Sequence, residues 1–80
     1  MPTLGEFIAH AKTYGFSKRR IRVVESKTAT SLSYLWRDFE HFAGLPDVPD
    51  RHRLERGTVL ALCRRLGIPA EDFGLEDDDH

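Results

Sequence analysis

The residues of this chain that can do chemistry are four histidines, one cysteine and a run of cations. His10, His41, His52 and His80 show no zinc-ligand spacing with one another or with Cys63. There is no glycine-rich phosphate loop and no Gly-x-Ser-x-Gly. Cys63 is the only cysteine, so no internal disulfide forms, and it falls on the apolar face of a predicted helix. There a thiol is expected to be buried and inert. His10 falls near the end of another predicted helix, where a cation meets the negative end of the dipole. His41 and His52 lie in segments that can face a shared surface, and imidazole suits acid–base work near neutral pH. Lys18, Arg19, Arg20 and Arg22 form a basic cluster. With Tyr34 and Trp36 on an adjacent strand, they would set phosphate contacts beside an aromatic platform. The plainer reading is a solvated strand edge, guarded by its charge against aggregation.

Charge is unevenly placed. The net value is −1, but Glu76, Asp77, Asp78 and Asp79 form a terminal acidic run, and setting those four carboxylates aside leaves +3. A mildly basic body permits contact with phosphates. Residues 1–75 are expected to form one domain, with 76–80 as a solvated, flexible acidic tail. A domain of 80 residues buries only about 60–65% of the surface its unfolded chain exposes, so its stability is modest. No signal peptide or membrane span is evident, which points to the cytoplasm and away from a membrane partner.

The elements that must position these residues follow from capping and period. Thr3-Leu4-Gly5-Glu6 reads as a capping box opening a helix over residues 3–14, with Leu4, Phe7, Ile8 and Ala11 on one face and Gly15 as its stop. A β-branched run predicts a strand over 20–25, followed by a turn or loop over 26–30. Residues 31–42 carry two patterns. With period two, Leu32, Tyr34 and Trp36 share a face. With period 3.6, Leu32, Leu35, Trp36, Phe39, Phe42 and Ala43 form a wide apolar stripe, with Gly44 as a stop. Residues 44–50 are a proline-bearing loop, and 51–54 are either a short edge strand or the lead into the next helix. That helix is predicted over 58–66, capped by Thr58, with Val59, Leu62, Cys63 and Leu66 facing the core. Gly67 ends it, and Pro69 opens a short turn through Phe73.

The second half carries a denser pattern: Val48-Pro49, His52, Arg56-Gly57-Thr58-Val59, Leu66-Gly67-Ile68 and Glu71-Asp72-Phe73. Together with Tyr14-Gly15-Phe16 closing the first helix, it resembles the HicA toxins, the small messenger-RNA-cleaving partners of HicB antitoxins. The resemblance covers nearly the whole chain before the acidic tail. It implies an α+β fold of the double-stranded-RNA-binding type, helix–three-stranded antiparallel sheet–helix, and so favours strand over 31–38. It also implies RNA as a partner and a HicB-like antitoxin as another. The activity it implies is an endoribonuclease that uses no metal or cofactor, the RNA 2′-hydroxyl attacking the adjacent phosphate.

One departure from the family bears on that activity. The family's catalytic histidine follows its first strand in a Gly-Ser-His, whereas this chain reads Thr28-Ala29-Thr30-Ser31-Leu32-Ser33, with Ser33 at the histidine's place. Serine does not take up a proton near neutral pH, and losing a positioned base costs on the order of 10²–10⁴-fold in rate. Cleavage is therefore expected to be lost and binding kept. If cleavage survives, His52, and after it His41, would supply the acid–base group, while Ser33 would contact a phosphate oxygen. Lys18, Arg19 and Arg20 would hold phosphates, assisted by Arg22. Two other readings stand beside this one. Leu-Gly-Ile followed by Pro-x-Glu-x-Phe also ends small all-α helix-turn-helix DNA-binding proteins, although residues 20–26 are too β-branched for a recognition helix. A protein–protein module would instead use Trp36, Phe39 and Phe42 as an exposed apolar patch.

Overall fold

The computed structural model describes residues 1–76; the acidic residues 77–79 and His80 of the expected tail lie outside them. The chain is α+β, running α1 (Leu4–Lys12), β1 (Ser17–Glu25), β2 (Thr28–Asp38), β3 (His41–Gly44) and α2 (Arg56–Leu66), then a 3₁₀ turn, Ala70–Phe73. The strands form one antiparallel sheet in the order β1-β2-β3, so the helix–three strands–helix layout expected above is the one observed.

The capping box opens α1 as its residues dictate. The Thr3 hydroxyl accepts from the Glu6 amide at 3.1 Å, and the Glu6 carboxylate accepts from the Thr3 amide at 2.8 Å. The helix is shorter than the predicted 3–14. After Lys12 the chain tightens into three-residue turns, with Tyr14 N–H donating to the Ala11 carbonyl and Gly15 N–H to the Lys12 carbonyl. Gly15, at φ 89°, then turns the backbone into β1.

The β1–β2 hairpin is longer than the sequence suggests. β1 starts at Ser17 rather than residue 20, and the expected loop over 26–30 shrinks to Ser26 and Lys27. Thr28, Ala29 and Thr30 pair with Glu25, Val24 and Val23. Ser26 takes φ 54°, the positive value a two-residue hairpin turn demands. The helical alternative for residues 31–42 does not form: a register shift between Trp36 and Asp38 bends β2, and residues 39 and 40 turn the chain into β3. Residues 51–54 add no strand to the sheet. Arg53 makes only an isolated bridge with Thr3, and the segment leads into α2.

Helix α2 begins at Arg56, so Thr58 lies inside the first turn and does not cap it. Glu55 holds the cap position with no side-chain bond. The C-terminus follows expectation. Gly67 adopts φ 73°, and the Gly67 and Ile68 amides both donate to the Cys63 carbonyl. Val59, Leu62, Cys63 and Leu66 meet Leu4, Phe7, Ile8 and Ala11 from α1, with Leu35 and Ala43 from the sheet, in one core. Cys63 is buried there, and loss of solvent pushes its thiol up to about 11, so it stays protonated and unreactive at neutral pH. The distal part of the hairpin projects past this core: Ile21, Val24 and Leu32 are exposed, and the molecule measures 44 × 27 × 25 Å.

Candidate nucleic-acid interface

The pleat of β1 divides the basic cluster between two surfaces. Side chains alternate along a strand, so Lys18, Arg20 and Arg22 share one face and Arg19 takes the other. The register places Arg20 beside Ser33, Arg22 beside Ser31 and Arg19 beside Tyr34. Leu35 and Ala43, buried under the helices, mark the helix-side face as the one that carries Lys18, Arg20 and Ser33.

On that side Lys18, Arg20, Ser31 and Ser33 line a cleft of about 160 Å³ closed by Leu4 and the 45–50 loop. The Ser33 carbonyl accepts from the Leu45 amide at 2.9 Å, which ties the loop to β2. Asp47 and Asp50 also line the cleft, so its charge is mixed. Ser33 and its cations can hydrogen-bond and neutralise a phosphate here.

The opposite face is aromatic. The Arg19 guanidinium lies 5.1 Å from the Trp36 ring centroid. Phe39 meets Trp36 edge to face at 4.8 Å, and Phe42 tilts against it at 5.9 Å. Arg65, from the last turn of α2, sits 5.2 Å over Phe42, and its Nε–H donates to the Phe42 carbonyl at 3.1 Å. Tyr34 and Trp36 thus lie with Arg19, across the sheet from Lys18 and Arg20. Arg65 is the member of this surface that sequence reasoning missed. Its last-turn position reads as a dipole partner, and only the fold shows that β3 passes beneath it.

The three residues considered for catalysis are not brought together. Ser33 lies in the helix-side cleft, and neither His41 nor His52 lines it. His41 stands at the far end of the β2–β3 pair, four positions before Leu45, whose amide bonds Ser33, and so roughly 13 Å from Ser33 along the sheet. Its Nδ1 bonds Asp38 at 2.8 Å, and its ring packs on Gly67. That bond is the largest cause pulling the Asp38 carboxyl down to about 2, assisted by the Glu40 amide and Arg37. His52 is exposed on the loop before α2. Its carbonyl accepts from Leu4 N–H, so its backbone, rather than its ring, is fixed to the start of α1.

A second polar cluster carries no sequence signal. Tyr14 donates its hydroxyl hydrogen bond to Asp72, and His10 Nε2 lies 2.9 Å from the same carboxylate. Phe73 stacks on Phe7 and meets the His10 ring edge-on. His10 therefore clasps the C-terminal turn to α1 rather than serving the helix dipole alone. The hydrogen bonds from Tyr14 and His10 lower the Asp72 pKa, and the bond to Asp72 raises that of Tyr14. Among the described residues no group of three or more histidine, cysteine or acidic side chains is placed to hold a metal ion.

No protein-family model matches the sequence, and comparison with curated proteins and with solved structures finds no significant match.

Proposed function

We propose that the chain is a HicA-like RNA-binding domain of a toxin–antitoxin type system, retaining nucleic-acid contact and lacking efficient cleavage. The observation that carries this reading is the pairing of a cationic β1 with a β2 bearing Ser33, Tyr34 and Trp36. That pairing sets phosphate-binding groups on both faces of one sheet and aromatic rings on one of them. The separation of Ser33, His41 and His52 supports the loss of cleavage, since acid–base catalysis needs its group within hydrogen-bond reach of the reacting proton. In this reading the domain works in the cytoplasm beside a HicB-like protein. Among the described residues no helix is long and apolar enough to cross a membrane.

The test is RNA binding measured across a salt series. Each phosphate contact releases counterions, so affinity falls steeply as salt rises, and the double variant Arg19→Ala/Arg20→Ala binds more weakly with a shallower slope. Absence of RNA binding at low salt would refute the proposal and favour the protein-module reading. That second reading has its own observation: Phe39 is 85% exposed beside Trp36 and Phe42.

A further inference from the structure

Among the described residues, helices α1 and α2 cover one face of the sheet and leave the other bare. On the bare face Arg19 stands beside Tyr34, and Tyr34 beside Gly44; one step along, Trp36 stands beside Phe42. Tyr34 and Trp36 are two residues apart, so their side chains rise from the same face about 7 Å from each other. Trp36 is held in place by Phe39, Phe42 and the Arg19 guanidinium. Gly44 contributes no side chain beside Tyr34, and a Cβ built there would meet nothing within 4 Å. The outcome is an open, largely apolar groove of about 540 Å³ with Arg19 on its rim. Arg65 adds a second cation over Phe42.

We propose that this groove stacks unpaired bases of single-stranded RNA, with Arg19 and Arg65 taking the phosphates that flank them. The proposal rests on the RNA-binding reading above and narrows it to unpaired strands. An aromatic face accepts any base, because every base has a π face, and a guanidinium already laid on that ring extends the same stack. Duplex RNA keeps its base faces inside the helix and offers a protein its phosphates and minor groove, so it cannot fill an aromatic groove. The cations decide against a plain apolar occupant. A hydrophobic helix would fill the groove but bring no counter-charge to Arg19 and Arg65, which make no ion pair among the described residues, whereas each nucleotide brings a ring and an anion together.

Trp36 is the only tryptophan, so its fluorescence reports on this groove alone. The full chain is titrated at low salt with a short single-stranded RNA of mixed sequence, and with the same strand annealed to its complement. Binding is followed in parallel by anisotropy of labelled RNA. The single strand is expected to quench Trp36 and to bind at least about tenfold more tightly than the duplex. Trp36→Ala is expected to weaken single-strand binding roughly 5- to 150-fold, the range one base–aromatic stack supplies, and Trp36→Phe to recover most of it. Arg19→Gln, an exposed change that leaves the core untouched, weakens the single strand more than the duplex. Equal affinity for both forms, or binding without quenching, overturns the stacking proposal while leaving RNA binding through the other cations intact. No binding of either form overturns both, and quenching by an acidic peptide instead of RNA would assign the groove to a protein partner.

Discussion

At Ser33 a single side chain separates two kinds of chemistry. It lines a cleft with Lys18 and Arg20, where the proposed function would hold a phosphate, but its hydroxyl offers no basic nitrogen to take the 2′-hydroxyl proton. Wild-type protein is therefore expected to cleave little or no mixed messenger RNA when incubated with chelator. Ser33→His places an imidazole between those cations and is the substitution most able to create activity. Robust wild-type cleavage abolished by His52→Ala would instead make His52 the working base. If neither His52→Ala nor His41→Ala touched such cleavage, the site would lie elsewhere. The candidate site was legible in residue types but not in its arrangement. Lys18 to Arg22 reads as one cluster along the chain, and only the pleat shows that Arg19 serves a different surface from Lys18 and Arg20. Arg65 and the Tyr14–Asp72–His10 group depend on contacts across 23 to 62 positions, which no local spacing encodes.

The elements differ in how strongly their own residues specify them. Helix α2 is fixed by its apolar face and by Gly67. Leu62→Ala should cost about 2–5 kcal/mol in denaturant unfolding, towards the lower end because Leu62 retains 8% exposure. A loss below about 0.5 kcal/mol would mean that the face does not pack as described. Two glycines, one in the first turn of this helix and one capping its end, should respond in opposite directions. Gly67→Ala forces a side chain into the left-handed region and against the His41 ring, at a cost of about 1–2 kcal/mol. Gly57 lies in the first turn with open space around it, so Gly57→Ala should stabilise by about 0.4–1 kcal/mol. Equal effects at the two positions, measured by the same unfolding curves, would contradict this difference. Capping residues and helical period made both helices readable from sequence. The hairpin was readable only in part, because Thr28 to Ser31 are small and exposed on both faces, so no buried alternation marks them as strand. β3 has four residues, too few for a period to emerge, and it is defined by pairing with β2 rather than by its own composition.

At the scale of the whole molecule, three carboxylates close the structure at three separate places. Glu6 completes the cap of α1, Asp38 joins the β2–β3 turn to His41, and Asp72 fastens the C-terminal turn to Tyr14 and His10. Each has its pKa lowered in the folded protein: Glu6 chiefly by the Thr3 amide, Asp38 to about 2 by the bond to His41, and Asp72 by the bonds from Tyr14 and His10. A carboxylate whose folded pKa lies below its unfolded value binds fewer protons in the native state, so its contribution is complete above the unfolded pKa, near about 4. That contribution declines as pH falls through the folded pKa. The three closures should therefore fail over one acid window, opening near about pH 4–5 and extending towards about 2 for Asp38. The thermal midpoint should fall steadily below that opening. Asp38→Asn should begin from a lower midpoint at neutral pH and show a shallower acid decline, because the variant has no proton to take up at this position. All three groups are at least partly open to solvent, so added salt should narrow the gap between variant and wild type without closing it, hydrogen bonds being less screened than charge attraction. A thermal profile of Asp38→Asn that ran parallel to wild type through the whole acid range would show that the Asp38–His41 bond does not hold the β2–β3 turn in solution.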